Sequence, residues 1–366
     1  MLWPLIYVLV LAVTTSLAAV FTRCCIRLAV RWGFLDKPLS EAHKAHRQPI
    51  PVMGGLAMCL AWNATIFGGL LALPVISDRL DSSVQSLLPG IHSVILKLLI
   101  IAAGGMAMTA MGMRDDKRPM KAGPKFLLQF IVAGAVATQV HVSFLHAIPG
   151  ANWAVTVLWI MTVVNALNFF DNMDGLAGGT AMFASFFFLL IAAMRGQVFV
   201  ALLSAATCGA AAGFLTLNIP PARIFMGDGG SHFLGYCLAL SGVMTTFYQT
   251  GESLTGAPVL IPLLVLSLPL FDAVAVVLIR LHEHRPIYIG DNCHLSHRFV
   301  RLGLSRPQAV FVIWMLCLVQ GFGAFTLIWL PLTGAILVFL QAIAIFLVIS
   351  IIQFDISEKQ HNDKHP

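Results

Sequence analysis

The sequence predicts an all-α fold, a polytopic bundle of transmembrane helices, and three observations predict it. Of 366 residues, 58% are hydrophobic and only 10% charged, with a mean hydropathy of +0.88. A soluble domain carries about 25% charged residues and roughly half apolar ones. The apolar residues come in runs of about 20, the length a helix needs to cross ~30 Å of hydrocarbon. When those runs are threaded back and forth, all but Arg79, Lys97 and Arg195 of the 22 lysines and arginines fall on one side. That is the positive-inside pattern, so the net charge of +6 informs through its distribution.

Runs bounded by charge, Pro or Gly give about eleven spans, with ten as the lower count. They lie near residues 3–22, 52–74, 92–112, 126–148, 152–170, 177–194, 198–217, 231–249, 258–279, 309–330 and 332–354. The first has no basic residue ahead of it and Arg23, Arg27 and Arg31 behind it. A secretory signal has the reverse layout, so a retained helix with its N-terminus outside is expected. The fourth is interrupted by Gln129, Gln139, His141 and His146, and Pro149–Gly150 turns it into the fifth. The loops at 23–51, 113–125, 171–176, 218–230 and 280–308, and the tail from 355, then lie inside. None is long enough for a separate domain, so residues 1–366 are read as one integral membrane domain. The seven cysteines show neither paired metal spacing nor a disulfide framework, and each is expected to be a buried small hydrophobe.

The acidic residues follow the inner face. Asp115 and Asp116 stand in "GMRDDKRP", Asp171 and Asp174 in "NALNFFDNMDGLAGG", Asp228 in "RIFMGDGGS", and Asp291 in "IYIGDNCHLSHR". Asp272, in "LPLFDAVAV", lies about two helical turns below that last loop. The outer side offers Asp78, Asp81 and Glu252, without a clustered motif. A lone Asp at a helix end can simply cap it. Adjacent carboxylates are harder to dismiss, because they repel at a low-dielectric boundary unless a cation offsets them. Lys117, Arg118 or a divalent metal is the expected cation.

Asn165, Asn168, Asp171 and Asp174 are spaced by three, so on a helix they form one slowly rotating stripe from the bilayer to its inner mouth. Polar groups so placed face a water-filled cavity or other polar helices, and are functional candidates by default. Asp171, Asp174 and Asp228 are hard oxygen donors of the kind Mg²⁺ accepts, and Mg²⁺ usually shares its coordination with substrate phosphates. "MGDGGS" sets an Asp and flexible glycines at a helix start, where backbone N–H groups can approach a phosphate. No P-loop occurs. On the same side, "HKAHRQPIPVMGG" (43–55) and "HEHRPIYIGDNCHLSHRFVR" (282–301) supply Lys44, His46, Arg47, His294, His297 and Arg298 as candidates for holding phosphates. His294 and His297, three apart, would also suit a metal, but no third soft ligand of matching spacing accompanies them. A phosphate-bearing substrate from the cytosol and a second one from the lipid are implied. Nothing points to nucleic acid.

Six segments in order, "PIPVMGG" (49–55), "GMRDD" (112–116), "NALNFFDNMDGLAGG" (165–179), "RIFMGDGGS" (223–231), "PLFD" (269–272) and "HLSHRFVRLGLSRPQA" (294–309), resemble the polyprenyl-phosphate N-acetylhexosamine-1-phosphate transferases. Within them the chain looks closer to the undecaprenyl-phosphate GlcNAc-1-phosphate transferases than to the phospho-MurNAc-pentapeptide translocases. The resemblance implies attack by a polyprenyl (undecaprenyl) phosphate on the β-phosphate of a UDP-N-acetylhexosamine, releasing UMP. It implies Mg²⁺ (or Mn²⁺), a bacterial inner membrane, an active site facing the cytosol, and a cell-envelope polysaccharide downstream; a homodimer is compatible with it. By resemblance, Asp115, Asp116 and Asp174 carry catalytic roles, and Asp228 with Asp171 holds the metal. Asn168, Asn218, Phe225, His294 and His297 bind substrate by resemblance, with Phe225 stacking on uracil, and Arg298, Lys44, His46 and Arg47 join them as the phosphate-holding candidates of the basic loops. Two positions depart from the family pattern. Ser296 stands where the GlcNAc-type His-x-His-His motif has its middle histidine, and Asn172 where Gly is commoner. UDP-MurNAc-pentapeptide is the alternative donor. An ion-coupled transporter is the rival class, but its sites cluster near the midplane in repeated halves, whereas these motifs are edge-located and unrepeated.

Overall fold

The computed structural model of the chain describes residues 3–36, 49–76, 85, 88–142, 148–247, 254–284, 286 and 294–362. Lys44, His46 and Arg47, with Asp291, lie outside the described residues. The chain forms two compact units, residues 1–245 and 246–366.

The first unit holds α1 (Trp3–Trp32), α2 (Gly54–Ile76), α3 (Leu88–Lys117), α4 (Ala122–Ala137), α5 (Ala151–Phe170), α6 (Leu176–Met194), α7 (Val198–Asn218) and α8 (Gly227–Met244). The two-residue strands β1 (Leu35–Asp36) and β2 (Ile50–Pro51) pair antiparallel, Leu35 opposite Pro51, and are an addition to the all-α expectation. The second unit holds α9 (Ile261–Val265), α10 (Ser267–His282), α11 (Leu295–Arg301), α12 (Arg306–Thr326) and α13 (Leu332–Asn362).

Every predicted span contains helix, and the chain is a multi-pass membrane protein. Among the described residues eight helices are long and apolar enough to cross a membrane, or nine if the α9–α10 pair, bent by 69°, is one broken span. That is fewer than eleven. The fourth predicted span shrinks to α4, 16 residues long, and α8 begins early enough to take Asp228 into its first turn. Other boundaries moved for local reasons. α1 continues ten residues past its apolar run, so Arg23, Arg27 and Arg31 stand on helix rather than in a loop. α3 runs through Lys117, putting Asp115 and Asp116 in its last turn.

The first unit exposes apolar side chains that a soluble protein would bury. Leu5, Val8, Leu9, Val13 and Val20 of α1 face outward, as a helix in lipid requires. The interior holds large side chains such as Phe187, Phe188, Phe214 and Phe233 together with many small ones. α7 buries Ser204, Ala205, Ala206, Thr207, Gly209, Ala210, Ala211 and Gly213, and packs on α1, α2 and α6. Small residues let helix backbones approach closely, which drives association where no hydrophobic effect operates between helices. α8 is buried along almost its whole length and packs on α3 and α5. Interior polar groups are paired across helices: Thr14 donates to Thr65 at 3.0 Å, Trp62 to Thr207 at 3.2 Å, and Tyr236 to the Ile101 carbonyl at 2.9 Å.

In the second unit α12 packs against α9, α10, α11 and α13. Its start is fixed by a capping box, with the Ser305 N–H donating to Gln308 Oε1 at 2.9 Å and Pro307 in the first turn. Of the cysteines, Cys25, Cys59, Cys208, Cys237 and Cys317 are buried as expected; Cys24 is exposed, and Cys293 lies outside the described residues.

Candidate functional site

Three separated connections of the first unit meet at the first turn of α8. That turn is held from behind by a strip of extended chain. Val52 bridges Phe225 in parallel, the Phe225 N–H donates to the Pro51 carbonyl at 2.8 Å, and the Gly54 and Gly55 N–H groups donate to the Phe225 and Met226 carbonyls, each at 3.0 Å. The approach leaves no room for side chains. A Cβ on Gly55 would lie 2.2 Å from the Gly230 nitrogen, and one on Gly112 of α3 would lie 2.3 Å from the Asp228 carbonyl carbon. Close backbone contact is what glycine alone permits here.

Asp228 is the hub. Its Oδ2 lies 2.6 Å from Lys125 Nζ on α4, and its Oδ1 accepts from Asn168 Nδ2 on α5 at 2.8 Å; Asn168 also reaches Ser231 Oγ at 2.9 Å. Lys125 pairs equally with Asp115 Oδ2 at 2.7 Å, and Asp115 Oδ1 accepts the Met120 N–H at 2.6 Å. So the cation beside Asp115 is Lys125, from the next helix. Lys117, the sequence candidate, lies instead over the Phe34 ring, 4.9 Å from its centre, and Arg118 is exposed. Sequence reasoning did not single out Lys125; its signal was its place as the last basic residue before an apolar run.

Asp116 turns the other way. Its Oδ1 accepts the Asp228 N–H at 2.8 Å and its Oδ2 the Gly229 N–H at 3.3 Å. The helix N-terminus expected to receive a phosphate is capped by this carboxylate, whose charge also suits the positive end of the helix dipole.

The Asn–Asp stripe is broken. α5 ends at Phe170, so Asn165 and Asn168 are on helix, Asp171 is its C-cap with φ −82° and ψ 60°, and Asp174 lies in the following turn. Asp174 Oδ2 accepts the Ala222 N–H at 3.0 Å. Asn218 spends both halves of its amide on backbone, accepting from the Gly175 N–H at 2.9 Å and donating to the Ile224 carbonyl at 2.8 Å. These two residues join the 171–175 turn to the segment that carries Phe225. Phe225 itself is half-buried.

Asp171 differs from its neighbours: no hydrogen bond or ion pair reaches its carboxylate among the described residues. Burial, followed by the charges of Asp228, Asp116 and Asp174, pushes its pKa well above the ordinary carboxylate range. A carboxyl without a partner among the described residues, under the charge of three others, is a place where a hard cation is favoured. Among the described residues no group of three or more His, Cys, Asp or Glu is placed to hold a metal ion by itself. Mg²⁺ takes one or two carboxylates and leaves the remaining positions to water and phosphate. The donor set around Asp171 and Asp228 therefore fits such an ion.

In the second unit, Asp272 of α10 holds the start of α11. Its Oδ2 lies 2.7 Å from His294 Nδ1 and its Oδ1 accepts the Leu295 N–H at 2.6 Å, all buried. The His294 and His297 ring centres are 6.5 Å apart. Burial first, then His294, Arg306 and Arg301, lowers the His297 pKa to about 4, with Asp272 opposing. His297 is thus a neutral hydrogen-bonding group near pH 7 rather than the cation its motif suggested. Arg298 follows on α11.

Comparison with known proteins fits this arrangement. Residues 98–246, which include Asp115, Asp116, Lys125, Asn168, Asp171, Asp174 and Asp228, match the family model described as glycosyl transferase family 4. The chain is 30% identical to a probable undecaprenyl-phosphate N-acetylglucosaminyl 1-phosphate transferase of Bacillus subtilis, over 87% of this chain and 86% of that one. It is 27% identical to a decaprenyl-phosphate N-acetylglucosaminephosphotransferase of Mycolicibacterium smegmatis, over 95% and 89%. It is also 32% identical to a phospho-N-acetylmuramoyl-pentapeptide-transferase of Geobacillus kaustophilus, over 65% and 75%.

Proposed function

Since this chain belongs to glycosyl transferase family 4, the polyprenyl-phosphate sugar-1-phosphate transferases, we propose that its donor is UDP-N-acetylglucosamine and its acceptor undecaprenyl phosphate. An oxygen of the lipid phosphate forms a bond to the β-phosphorus of the donor. The bond from that phosphorus to the oxygen bridging to the α-phosphate breaks, so UMP departs and the sugar 1-phosphate stays on the lipid. The reading places this at the cytosolic face of a bacterial inner membrane, as the first step toward a cell-envelope polysaccharide.

The observation that carries it is the shared grip on Asp228 by Lys125 and Asn168, with Asp171, which has no partner among the described residues, under the charge of Asp228. Two anions must meet in this reaction, and positioned charge is what a protein can offer. Asp228 and Asp171 would hold Mg²⁺ or Mn²⁺, which when bound offsets charge on the diphosphate and the departing UMP. Lys125, released from either carboxylate, is a cation within reach of a phosphate. Asp115 and Asp116 fix the frame, Asp115 through Lys125 and Asp116 through the α8 turn. Phe225 presents an aromatic face for the uracil, and Asp174 with Asn218 keeps its segment in place.

A second donor, UDP-MurNAc-pentapeptide, is favoured by the Geobacillus kaustophilus relative; the N-acetylglucosamine relatives cover more of the chain and support the first. The test is purified protein with undecaprenyl phosphate and a panel of UDP-sugars, with and without Mg²⁺, and mass analysis of the lipid. A diphosphate-linked N-acetylglucosamine plus UMP is expected. Product from the muramoyl donor alone selects the second reading, and no product from any sugar rejects both.

A further inference from the structure

Gln129 and Asn165 looked unrelated in the sequence, one an interruption in a weak span and the other the start of a polar stripe. In the structure they face each other across α4 and α5. Asn165 Nδ2 donates to Gln129 Oε1 at 2.7 Å, and Gln129 Nε2 donates back to Asn165 Oδ1 at 3.3 Å. Asn165 Nδ2 also donates to the Met161 carbonyl at 2.7 Å, which fixes the way its amide points.

The pair sits one turn behind the carboxylate cluster on both helices. Gln129 is four residues after Lys125 on α4, and Asn165 is three before Asn168 on α5. Each helix thus carries one residue of the pair and, on the adjacent turn of the same face, one residue that grips Asp228. α4 needs such a tie. Its Phe126, Leu127, Leu128, Phe130 and Ile131 are exposed, and its buried residues are Gln129, Ala133, Gly134, Val136 and Ala137. Gln129, with no exposed surface, is the only polar side chain among them. Small apolar residues allow a helix to slide or turn against its neighbour; a two-way amide bond does not. At the other end of α4 the link to α5 is Trp153 Nε1 donating to the Gly134 carbonyl at 3.0 Å.

We propose that the Gln129–Asn165 amide pair is a positioning device, setting the height of Lys125 against Asn168 so that both reach the two oxygens of Asp228. Neither residue touches a reacting atom. The proposal rests on the reading of Asp228 as the centre of the transferase site, but its geometry can be tested without substrate.

The test measures how fast an amine-acetylating reagent modifies Lys125 in the full-length protein, read by peptide mass spectrometry. Thiol reactivity of the buried Cys237 reports general loosening. In Gln129→Leu and Asn165→Leu, Lys125 should be modified about tenfold faster than in wild type, as local opening exposes it, while Cys237 stays silent. Exchanging the two residues, Gln129→Asn with Asn165→Gln, keeps one amide on each helix and should bring Lys125 back to within about threefold of wild type. Turnover should follow the labelling, with kcat falling in the single variants and recovering in the exchange while KM for the donor changes little.

Unchanged labelling in both single variants overturns the proposal. So does labelling of Lys125 and Cys237 together, since a merely structural pair would loosen both. A well-folded exchange variant that fails to protect Lys125 overturns it too. If the exchange variant exposes Cys237, the double leucine variant decides: it should label no faster than either single one, and additive effects reject the pair as a unit. Should no UDP-sugar give product with wild type, the proposed function fails, and the labelling still decides the role of the pair.

Discussion

The carboxylate of Asp116 on α3 accepts the N–H groups of Asp228 and Gly229, and so closes the N-terminus of α8 from a different helix. Asp116 holds Asp228 in place as a cap does. Asp116→Ala should remove about 1 kcal/mol of stability together with UMP release. Asp116→Asn keeps one acceptor, so its melting temperature in detergent should stay near wild type while UMP release falls on the order of a hundredfold. Full activity in Asp116→Asn would remove it from the site.

Lys125 stands between Asp115 and Asp228. Replacing it with Met leaves two crowded carboxylates without their cation. Removing one partner of a fully buried pair costs 3–5 kcal/mol, but these groups are partly wet, so about 2 kcal/mol is expected. A thermal melt of Lys125→Met reads this, and turnover should fall with it. Lys125→Arg, with charge retained but a planar fork, should recover stability better than turnover.

Asp171 gives a prediction of unusual sign. Its pKa is raised in the folded chain, so its contribution to stability is greatest below the unfolded carboxyl value of 3.8 and is lost as pH rises through the folded one. Above that range the buried carboxylate opposes folding. Asp171→Asn should therefore melt no lower than wild type without metal. Mg²⁺ should raise the wild-type melting temperature and leave that of Asp171→Asn unchanged, whereas an equal Mg²⁺ effect in both would separate Asp171 from the metal.

For His297 the sign is reversed on the pH axis. Its folded pKa of about 4 lies below the ordinary imidazole value of 6.5, so its contribution is present above pH 6.5 and drains away as pH falls toward 4. Melting curves between pH 7 and 4 should show that slope, and His297→Gln should flatten it.

Phe225 holds its place through backbone bonds to Pro51 and Gly54, which alanine keeps. Phe225→Ala should thus leave the fold intact and weaken UMP binding by about 1–3 kcal/mol, the range for one stacked base. Calorimetry with UMP measures it; unchanged affinity would take the ring out of the nucleotide pocket.

Local physics was legible in the sequence, and cross-chain pairing was not. Hydropathy of a run reports the transfer of its own residues into lipid, so each apolar run was found as helix, and Asp115, Asp116, Asp171, Asp174 and Asp228 landed at or just beyond helix ends. The same reasoning misread Gln129 as a flaw, because its partner lies 36 residues away on another helix. It offered Lys117 for Asp115 where the structure uses Lys125, since nearness in sequence is a poor guide once a turn intervenes. It also carried the stripe through Asp171, although α5 stops at Phe170. What ends that helix depends on its neighbours in space, which spacing alone does not encode.

Gly112 and Gly55 give the carboxylate cluster a dimension set by missing atoms. With a Cβ at 112 only 2.3 Å from the Asp228 backbone, one added methyl must push the whole turn outward while altering no charge. Gly112→Ala is therefore a built-in ruler: it converts a small displacement of one turn into a change in rate, separating how far apart the groups stand from how strongly they attract.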